Sequence, residues 1–352
     1  MAVSVSKTLL FTSGQIKFSE LRSSFKEASS GSVSASELRR NTNTSNANPI
    51  VPDATENAAV STGSNLKTSQ FRNTIKYYDL NQSGTDLNLN IFAQTWNSNL
   101  SKNIIKKMNI DGVCGSNTTA SAALILNAVV YNLQVIVNGF VYGAGGAAGT
   151  STSGGNGGPA MSLISLGGLI NVLTTGTAQV YGGGGGGAKG ATGAPNPGNT
   201  CSYVDTYTTG TACNSCPGCN AGYAQNCYRI GGCGRKNRGR NNRSDCSATI
   251  YYTSAVLADG GVGGDGGNGQ GYNQSISGGA GGAGGAFSNC TPNTTVTQTQ
   301  GNTGETGGGG GDWGSNGGAT TLATGGSAGA SITGSNYVID SNSITVAFRG
   351  AR

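Results

Sequence analysis

The stretch Gln179–Gly190, QVYGGGGGGAKG, places six consecutive glycines directly behind a Val-Tyr pair. Glycine loses more conformational freedom on folding than any other residue, so such a run is either a tether or something built at an entropic cost. A flexible tether usually mixes in Ser and has nothing to anchor it. Here the run follows an apolar, strand-like segment, LINVLTTGTAQ, and the same order occurs earlier. VYGAGG at Val141–Gly146 and VYGGGG at Val180–Gly185 lie 39 residues apart, and the first copy is preceded by NLQVIVNGF. A repeat of strand followed by glycine tract implies modules that bury a face against their neighbours.

Further tracts run from Gly260 to Gly271, Gly278 to Gly285, Gly307 to Gly318 and Gly325 to Gly329, with Tyr272, Phe287, Cys290 and Trp313 in or between them. The extended solution open to an ordered glycine run is a helix of three residues per turn, related to polyproline II. Without Cβ atoms, such helices approach closely enough for N–H groups to pair with carbonyls of neighbouring helices. Each bond contributes a net of about 1 kcal/mol, so the expected product is a rigid lattice held by backbone hydrogen bonds. The expected fold class is mainly β with polyglycine II-like tracts, preceded by a short helical N-terminal module.

Composition agrees with a chain that lacks one large compact core. Gly accounts for 63 of 352 residues and charged residues for 10%, against roughly 7% and about a quarter in an average soluble domain. The absence of His removes the commonest general base, so His-assisted Ser or Cys catalysis is excluded. A polysaccharide depolymerase would need paired carboxylates in a cleft. The 15 Asp and Glu residues are scattered, so no enzyme is expected. The net charge of +6 is concentrated in Arg235, Lys236, Arg238, Arg240 and Arg243. Nucleic-acid binding needs basic groups spread over a footprint, so one basic loop argues against it. No apolar run is long enough to cross a membrane as a helix, and Leu9–Phe11 is too short for the apolar region of a signal peptide.

The first 45 residues differ from the rest. SELR occurs at Ser19–Arg22 and at Ser36–Arg39, each offering a Ser N-cap, an early Glu and a Leu to bury, which predicts two short helices. Asn41 to Thr68 reads as a surface linker. Leu87, Leu89 and Ile91 alternate with Asn88 and Asn90, the pattern of one half-buried strand. Asn138-Gly139, between apolar flanks, predicts a hairpin turn, and the end of the chain, with Tyr337, Ile339, Ile344, Val346 and Phe348, predicts a terminal hairpin. The expected divisions are 1–85 (attachment module and linker), 86–142 (β domain), 143–200 (glycine-rich), 201–256 (Cys-rich insertion), 257–330 (glycine-rich) and 331–352 (hairpin).

The opening SGQIKFSELRSSF resembles the start of many bacteriophage tail structural and fibre proteins. The segments VNGFVYGAGGAAG, GGNGGPAMSL and QVYGGGGGGAKG resemble the receptor-binding regions of phage tail fibres and adhesins, in which packed polyglycine helices carry host-recognition loops. The resemblance implies a virion tail component, docked through its N-terminal region onto other tail proteins. It would bind a host surface glycan or outer-membrane protein, and would be a homo-oligomer, since fibres are commonly trimeric. The alternative is a capsid- or tail-decorating protein that binds no receptor. Trp313 and Asp312, in GDWGSNGG, together with Tyr272 are the candidate receptor contacts, as is the basic loop Arg235–Arg243, which would attract anionic surface polysaccharide. Equally open readings have Trp313 plugging the β core and the basic loop merely solvated.

Cys201, Cys213, Cys216, Cys219, Cys227, Cys233 and Cys246 depart from the resemblance. CNSCPGC has the spacing of thiolate metal ligands, so a zinc knot competes with a disulfide-stapled loop. An exposed particle favours disulfides, and no other cofactor is expected.

Overall fold

The computed structural model describes residues 3–6, 9–26, 31–43, 49–94, 99–209, 246–283, 296–297, 302–340 and 347–352. The chain forms two compact units, one of residues 1–189, 266–279 and 308–352, the other of 190–265 and 280–307.

The first unit begins with β1 (Val3–Ser6) and α1 (Phe18–Lys26). Leu21 and Phe25 bury the inner face of α1, and its first turn is closed by the Glu20 carboxylate, which accepts the Lys17 N–H at 2.8 Å. The second SELR makes one turn only. Ser34 and Glu37 form a reciprocal capping box, with the Ser34 N–H reaching the Glu37 carboxylate at 2.7 Å and the Glu37 N–H reaching the Ser34 hydroxyl at 3.2 Å. Hydrogen bonds from Lys26 and from the Ser34 N–H hold the Glu37 carboxyl down to about 2. Beyond Leu38, however, the polar run NTNTSN supplies no apolar face to extend a helix, and the chain passes into β2 (Arg40–Asn41), which pairs with β3 (Val51–Pro52). Leu21, Phe25, Leu38, Val51, Val60 and Phe71 pack together as a separate N-terminal core.

Three strands per coil follow. The first coil is β4 (Tyr77–Gln82), β5 (Thr85–Leu87) and β6 (Leu89–Asn90). The second is β7 (Ile105–Ile110), β8 (Val113–Gly115) and β9 (Leu124–Ala128). The third is β10 (Leu133–Val137), β11 (Phe140–Tyr142) and β12 (Met161–Ser165). The fourth starts with β13 (Ile170–Thr174) and β14 (Gln179–Tyr181). It is interrupted by a chain excursion containing β15 (Asn196–Thr209), β16 (Cys246–Ala258) and β17 (Val296–Thr297), and is completed by β18 (Ile332–Ser335). β19 (Tyr337–Ile339) and β20 (Phe348–Arg349) begin a fifth.

The coils stack into three sheets, ordered β1-β4-β7-β10-β13-β19, β5-β8-β11-β14-β20 and β6-β9-β12-β18. Every pairing in them is parallel except β1 with β4, which makes a three-sided parallel β-solenoid with β1 at its N-terminal edge. Its interior is filled by columns of apolar side chains in register. Met108, Val135 and Val172 form one, Leu126 and Leu163 another, and Cys114, Val141, Val180 and Phe348 a third, all buried.

The solenoid corrects three local expectations. Asn138-Gly139 is a corner between two sheets and not a hairpin, because β10 and β11 pair with strands of neighbouring coils. Leu87, Leu89 and Ile91 do not share one strand face. Asn88 adopts φ +48°, turning the chain between sheets, so Leu87 is exposed while Leu89 and Ile91 are buried. The C-terminal strands β18, β19 and β20 pair with β12, β13 and β14 and not with one another, so they form no hairpin. Ile344 and Val346 lie outside the described residues.

The glycine tracts leave the solenoid between its second and third sheets. In chain order, residues 116–123 connect the two sheets in the second coil, 143–160 in the third and 182–331 in the fourth. Residues 182–188 are buried and hydrogen-bond with a period of three. Gly183, Gly186 and Lys189 donate to Gly158, Gly155 and Thr152; Gly184 and Gly187 to Gln270 and Gly267; Gly185 and Ala188 to Ser315 and Gly318. Their carbonyls follow the same rule. Gly184 and Gly187 accept from Gly146 and Gly149, Gly183 and Gly186 from Gly329 and Gly326, and Gly182, Gly185 and Ala188 from Gly314, Gly311 and Gly308. All these N···O distances lie between 2.7 and 3.0 Å. At Gly182–Gly187 the packing leaves no room for side chains: a Cβ on Gly184 would come within 2.0 Å of the Gly311 carbonyl oxygen.

In the second unit, Gly190 and Gly193 donate to Gly264 and Gly261, which donate in turn to Glu305 and Asn302. β15 and β16 form a long antiparallel ribbon there, with β17 on the outer side of β15.

Candidate functional site

Along β11 and β14, Val141 and Val180 point into the solenoid, which places Phe140, Tyr142 and Gln179 on its outer face. Register aligns Leu87, Gly115, Tyr142, Tyr181 and Arg349 in one row across the sheet. The Tyr142 ring stacks with Phe140 at 5.6 Å and lies 5.9 Å from Tyr181. Its hydroxyl donates to Gln179 Oε1 at 2.5 Å. Burial, with a smaller contribution from Tyr181, raises the Tyr142 pKa above the ordinary tyrosine value.

Trp313 reaches this row from the turn Asp312–Ser315 between two glycine tracts. Gly314 closes the turn at φ +64°, and a Cβ there would meet the Gly350 nitrogen at 2.3 Å, so only glycine fits. The Gly314 N–H donates to Gly182 O at 2.9 Å. The indole stacks on Tyr142 with centroids 4.7 Å apart and planes 26° from parallel, and sits 6.0 Å from Tyr181. Asp312 Oδ1 accepts the Trp313 backbone N–H at 2.8 Å, its other oxygen faces Arg349 at 3.4 Å, and the Arg349 guanidinium lies 4.8 Å from the centre of the Tyr181 ring. Tyr272 joins from a second turn. Its N–H donates to Gly143 O at 3.0 Å and its ring covers Gly115, where a Cβ would lie 2.5 Å from ring carbon.

Trp313, Asp312 and Tyr272 therefore converge on one shelf. Trp313 plugs no core: it is half-buried on the outer face of the sheet. Sequence reading missed Phe140, Tyr142, Tyr181 and Arg349. The signal for two of them was the VYG repeat itself, since Val141 pairs with Val180 and Tyr142 with Tyr181.

At the other end of the 182–189 tract the neighbouring segments turn back through exposed loops. Thr150–Ser153 is exposed, and its Thr150 carbonyl accepts from Lys189 Nζ at 2.8 Å. Residues 319–324 include Leu322, 51% exposed, and Thr320, whose hydroxyl donates to Lys189 O at 2.6 Å. Arg235, Lys236, Arg238, Arg240, Arg243, Cys213, Cys216, Cys219, Cys227 and Cys233 lie outside the described residues. Cys201 and Cys246 fall on β15 and β16, opposite Ser254 and Thr209 and not opposite each other. Among the described residues no three His, Cys, Asp or Glu side chains gather as a metal site would require.

The family model described as Phage tail fibre adhesin Gp38 matches residues 70–244, about half of the chain. No curated protein matches. Among solved structures, the crystal structure of the gp37-gp38 adhesin tip complex of the bacteriophage S16 long tail fiber is similar, with 17% identity over 97% of this chain and 99% of that chain and a TM-score of 0.38. The family match spans the first three solenoid coils, the first two strands of the fourth, the first glycine tracts and the Cys-rich segment up to residue 244. Residues 70–244 carry a Gp38-type adhesin domain, and the chain is a phage tail fibre adhesin, a receptor-binding component of the virion tail.

Proposed function

We propose that the glycine tracts are polyglycine II helices serving as a rigid display frame, and that host recognition resides in the loops joining them. The observation that carries this reading is the bonding of residues 182–188, whose N–H groups and carbonyls are taken up by neighbouring tracts. Six glycines and one buried alanine with a saturated backbone have nothing left with which to read a receptor. Recognition then falls to Thr150–Ser153, to residues 319–324 and to the Cys-rich insertion with its basic loop Arg235–Arg243. The receptor is a host surface glycan or outer-membrane protein. Residues 1–85, with α1 and its own small core, are the attachment module that joins other tail proteins, and the assembled adhesin is a homo-oligomer. The Cys-rich insertion is stapled by disulfides, with zinc as the competing reading. We read the chain as a binder and not an enzyme, and the decorating-protein alternative is not favoured by the adhesin match.

The test replaces Thr150–Ser153 and residues 319–324 by Gly-Ser sequences of equal length in phage particles. The expected result is adsorption lost or redirected to another host, with the thermal unfolding of the isolated protein unchanged. Wild-type adsorption by such particles would overturn the assignment of these two loops.

A further inference from the structure

Two neighbours of the 182–189 tract, residues 144–158 and 320–329, meet it every third residue until residue 189, where both have turned into exposed loops. On the first side, the N–H groups of Gly183, Gly186 and Lys189 donate to Gly158, Gly155 and Thr152 at 2.9, 2.8 and 2.9 Å. On the second, the carbonyls of Gly183 and Gly186 accept from Gly329 and Gly326 at 2.7 and 2.8 Å. The next donor in that series is the Ala323 N–H, which instead reaches Thr320 Oγ1 at 3.3 Å, and the Thr320 hydroxyl donates in turn to Lys189 O at 2.6 Å. Side chains follow the same period. A Cβ on Gly183 or Gly186 would meet the Ala144 or Ala147 carbonyl oxygen at 1.8 Å, so neither position admits one. At residue 189 the series reaches Thr150, where the neighbouring tract has ended and a half-buried position has room for a side chain. Lysine occupies it, and its ammonium donates to the Thr150 carbonyl at 2.8 Å.

Lys189 therefore touches both exposed loops at once: 150–153 through its N–H and its ammonium, 319–324 through its carbonyl. The loops also meet directly, since the Gly154 N–H donates to Thr324 O at 3.3 Å. A hydrogen bond from a solvent-exposed ammonium adds little to folding stability, because water competes for both partners. It does tie down a segment whose residues 150–153 are all exposed and so have no buried side chain to hold them. We infer that Lys189 is a positioning residue that joins loops 150–153 and 319–324 into one receptor-binding surface, an assignment that rests on the loop reading above. Ordering both loops before contact removes a conformational cost that receptor binding would otherwise meet.

The experiment measures the adsorption rate of phage particles on host cells, with thermal unfolding of the isolated protein beside it. Lys189→Met keeps the apolar stem and every backbone bond but loses the ammonium donor. Adsorption should fall about tenfold with the unfolding temperature unchanged. Lys189→Arg, which keeps a cationic donor, should restore it. Thr320→Val, which removes the hydroxyl between Ala323 and Lys189, should also lower adsorption, and Thr320→Ser should restore it. Gly-Ser replacement of each loop alone and of both together supplies the second measurement. A joined surface is lost when either half is lost, so each single replacement should lower adsorption as far as the double one. Fold losses that multiply instead identify two separate contacts and overturn the assignment. Wild-type adsorption by Lys189→Met or by Thr320→Val overturns it too. So does an unfolding temperature of Lys189→Met that falls along with adsorption, which makes Lys189 a support of the lattice. None of these outcomes touches the loop reading, which falls, and this assignment with it, when particles with both loops replaced adsorb like wild type.

Discussion

Leu126 and Gly184 occupy equally buried positions in the same unit and are held there by different forces. Leu126 is surrounded by apolar neighbours within the solenoid, where its isobutyl group is removed from water. Gly184 has no side chain to bury. It donates to Gln270, accepts from Gly146, and packs directly against the carbonyl of Gly311. In the solenoid the backbone pairs only with adjacent coils, and the third dimension is filled by side chains. In the glycine lattice the backbone pairs in all directions around the tract. A side-chain core tolerates a lost methylene by partial relaxation, whereas a lattice of touching backbones has nothing to relax into when volume is added.

The largest expected effect follows directly. Gly184→Ala places a methyl 2.0 Å from the Gly311 oxygen, which forces two tracts apart and breaks several bonds of about 1 kcal/mol each. A loss above about 3 kcal/mol is expected, beyond ordinary overpacking. Leu126→Ala, which deletes volume in the solenoid, should cost about 2–5 kcal/mol and leave the lattice amides protected. Hydrogen exchange separates the two outcomes, because Gly184→Ala should expose the amides of residues 143–158 and 182–189 while those of β7 and β10 stay protected. Wild-type exchange in Gly184→Ala would mean that the tract is a tether.

The contrast also explains what could be read from the sequence. The VYG repeat was visible, and its two copies stand side by side in parallel register because a solenoid stacks equivalent positions. The solenoid itself was not visible. Asn138-Gly139 carries the same local preference at a sheet-to-sheet corner as in a hairpin, and only partners remote in sequence decide between them. The alternation at Leu87–Ile91 was misleading for a similar reason, since a single left-handed Asn88 changes which way Leu87 faces. One signal was available but unread. In GVGGDGGNG the non-glycine residues Val262, Asp265 and Asn268 recur every third position, with Val262 and Asp265 exposed. This is the imprint of a three-residue turn with one outward row. For the shelf, Trp313 and Asp312 were legible as an odd aromatic among glycines, whereas the fit of Tyr272 over Gly115 leaves no trace in either local sequence.

A second prediction tests how dry the solenoid is near its N-terminal coils. Lys106 on β7 is fully buried, with its ammonium donating to the carbonyls of Lys102 and Ile104 at 2.8 and 2.6 Å. Burial brings its pKa down from 10.5 to about 7, against a smaller opposing influence of Asp53. Because the folded value lies below the unfolded one, the unfolded chain takes up this proton first as pH falls. Stability from this group is therefore complete above about pH 10.5, declines by about 1.4 kcal/mol per unit down to about pH 7, and is level below that. Lys106→Met removes the decline. In urea unfolding the variant should gain on wild type by up to about 3 kcal/mol between pH 9.5 and pH 7. A wild-type and variant difference that does not change over that interval would mean that water reaches the ammonium.

The smallest effect is the sharpest test of the lattice, because it concerns a glycine the lattice does not need. In the tract around Gly309, positions 303, 306, 309 and 312 are exposed, and three of them already carry Thr303, Thr306 and Asp312. A Cβ on Gly309 would meet nothing within 4 Å, and its φ lies outside the left-handed region. One residue earlier, a Cβ on Gly308 would lie 2.1 Å from the Gly318 oxygen, and one residue later, a Cβ on Gly310 would lie 1.7 Å from the Asn268 oxygen. Gly309→Ala therefore restricts the unfolded chain without touching the folded one and should stabilise the protein by about 0.4–1 kcal/mol. Gly308→Ala and Gly310→Ala should destabilise it, and by more. Three adjacent substitutions of identical chemistry would then differ in sign according only to the face of a three-residue turn on which they fall. Three equal effects in thermal unfolding would show that the tract has no such faces.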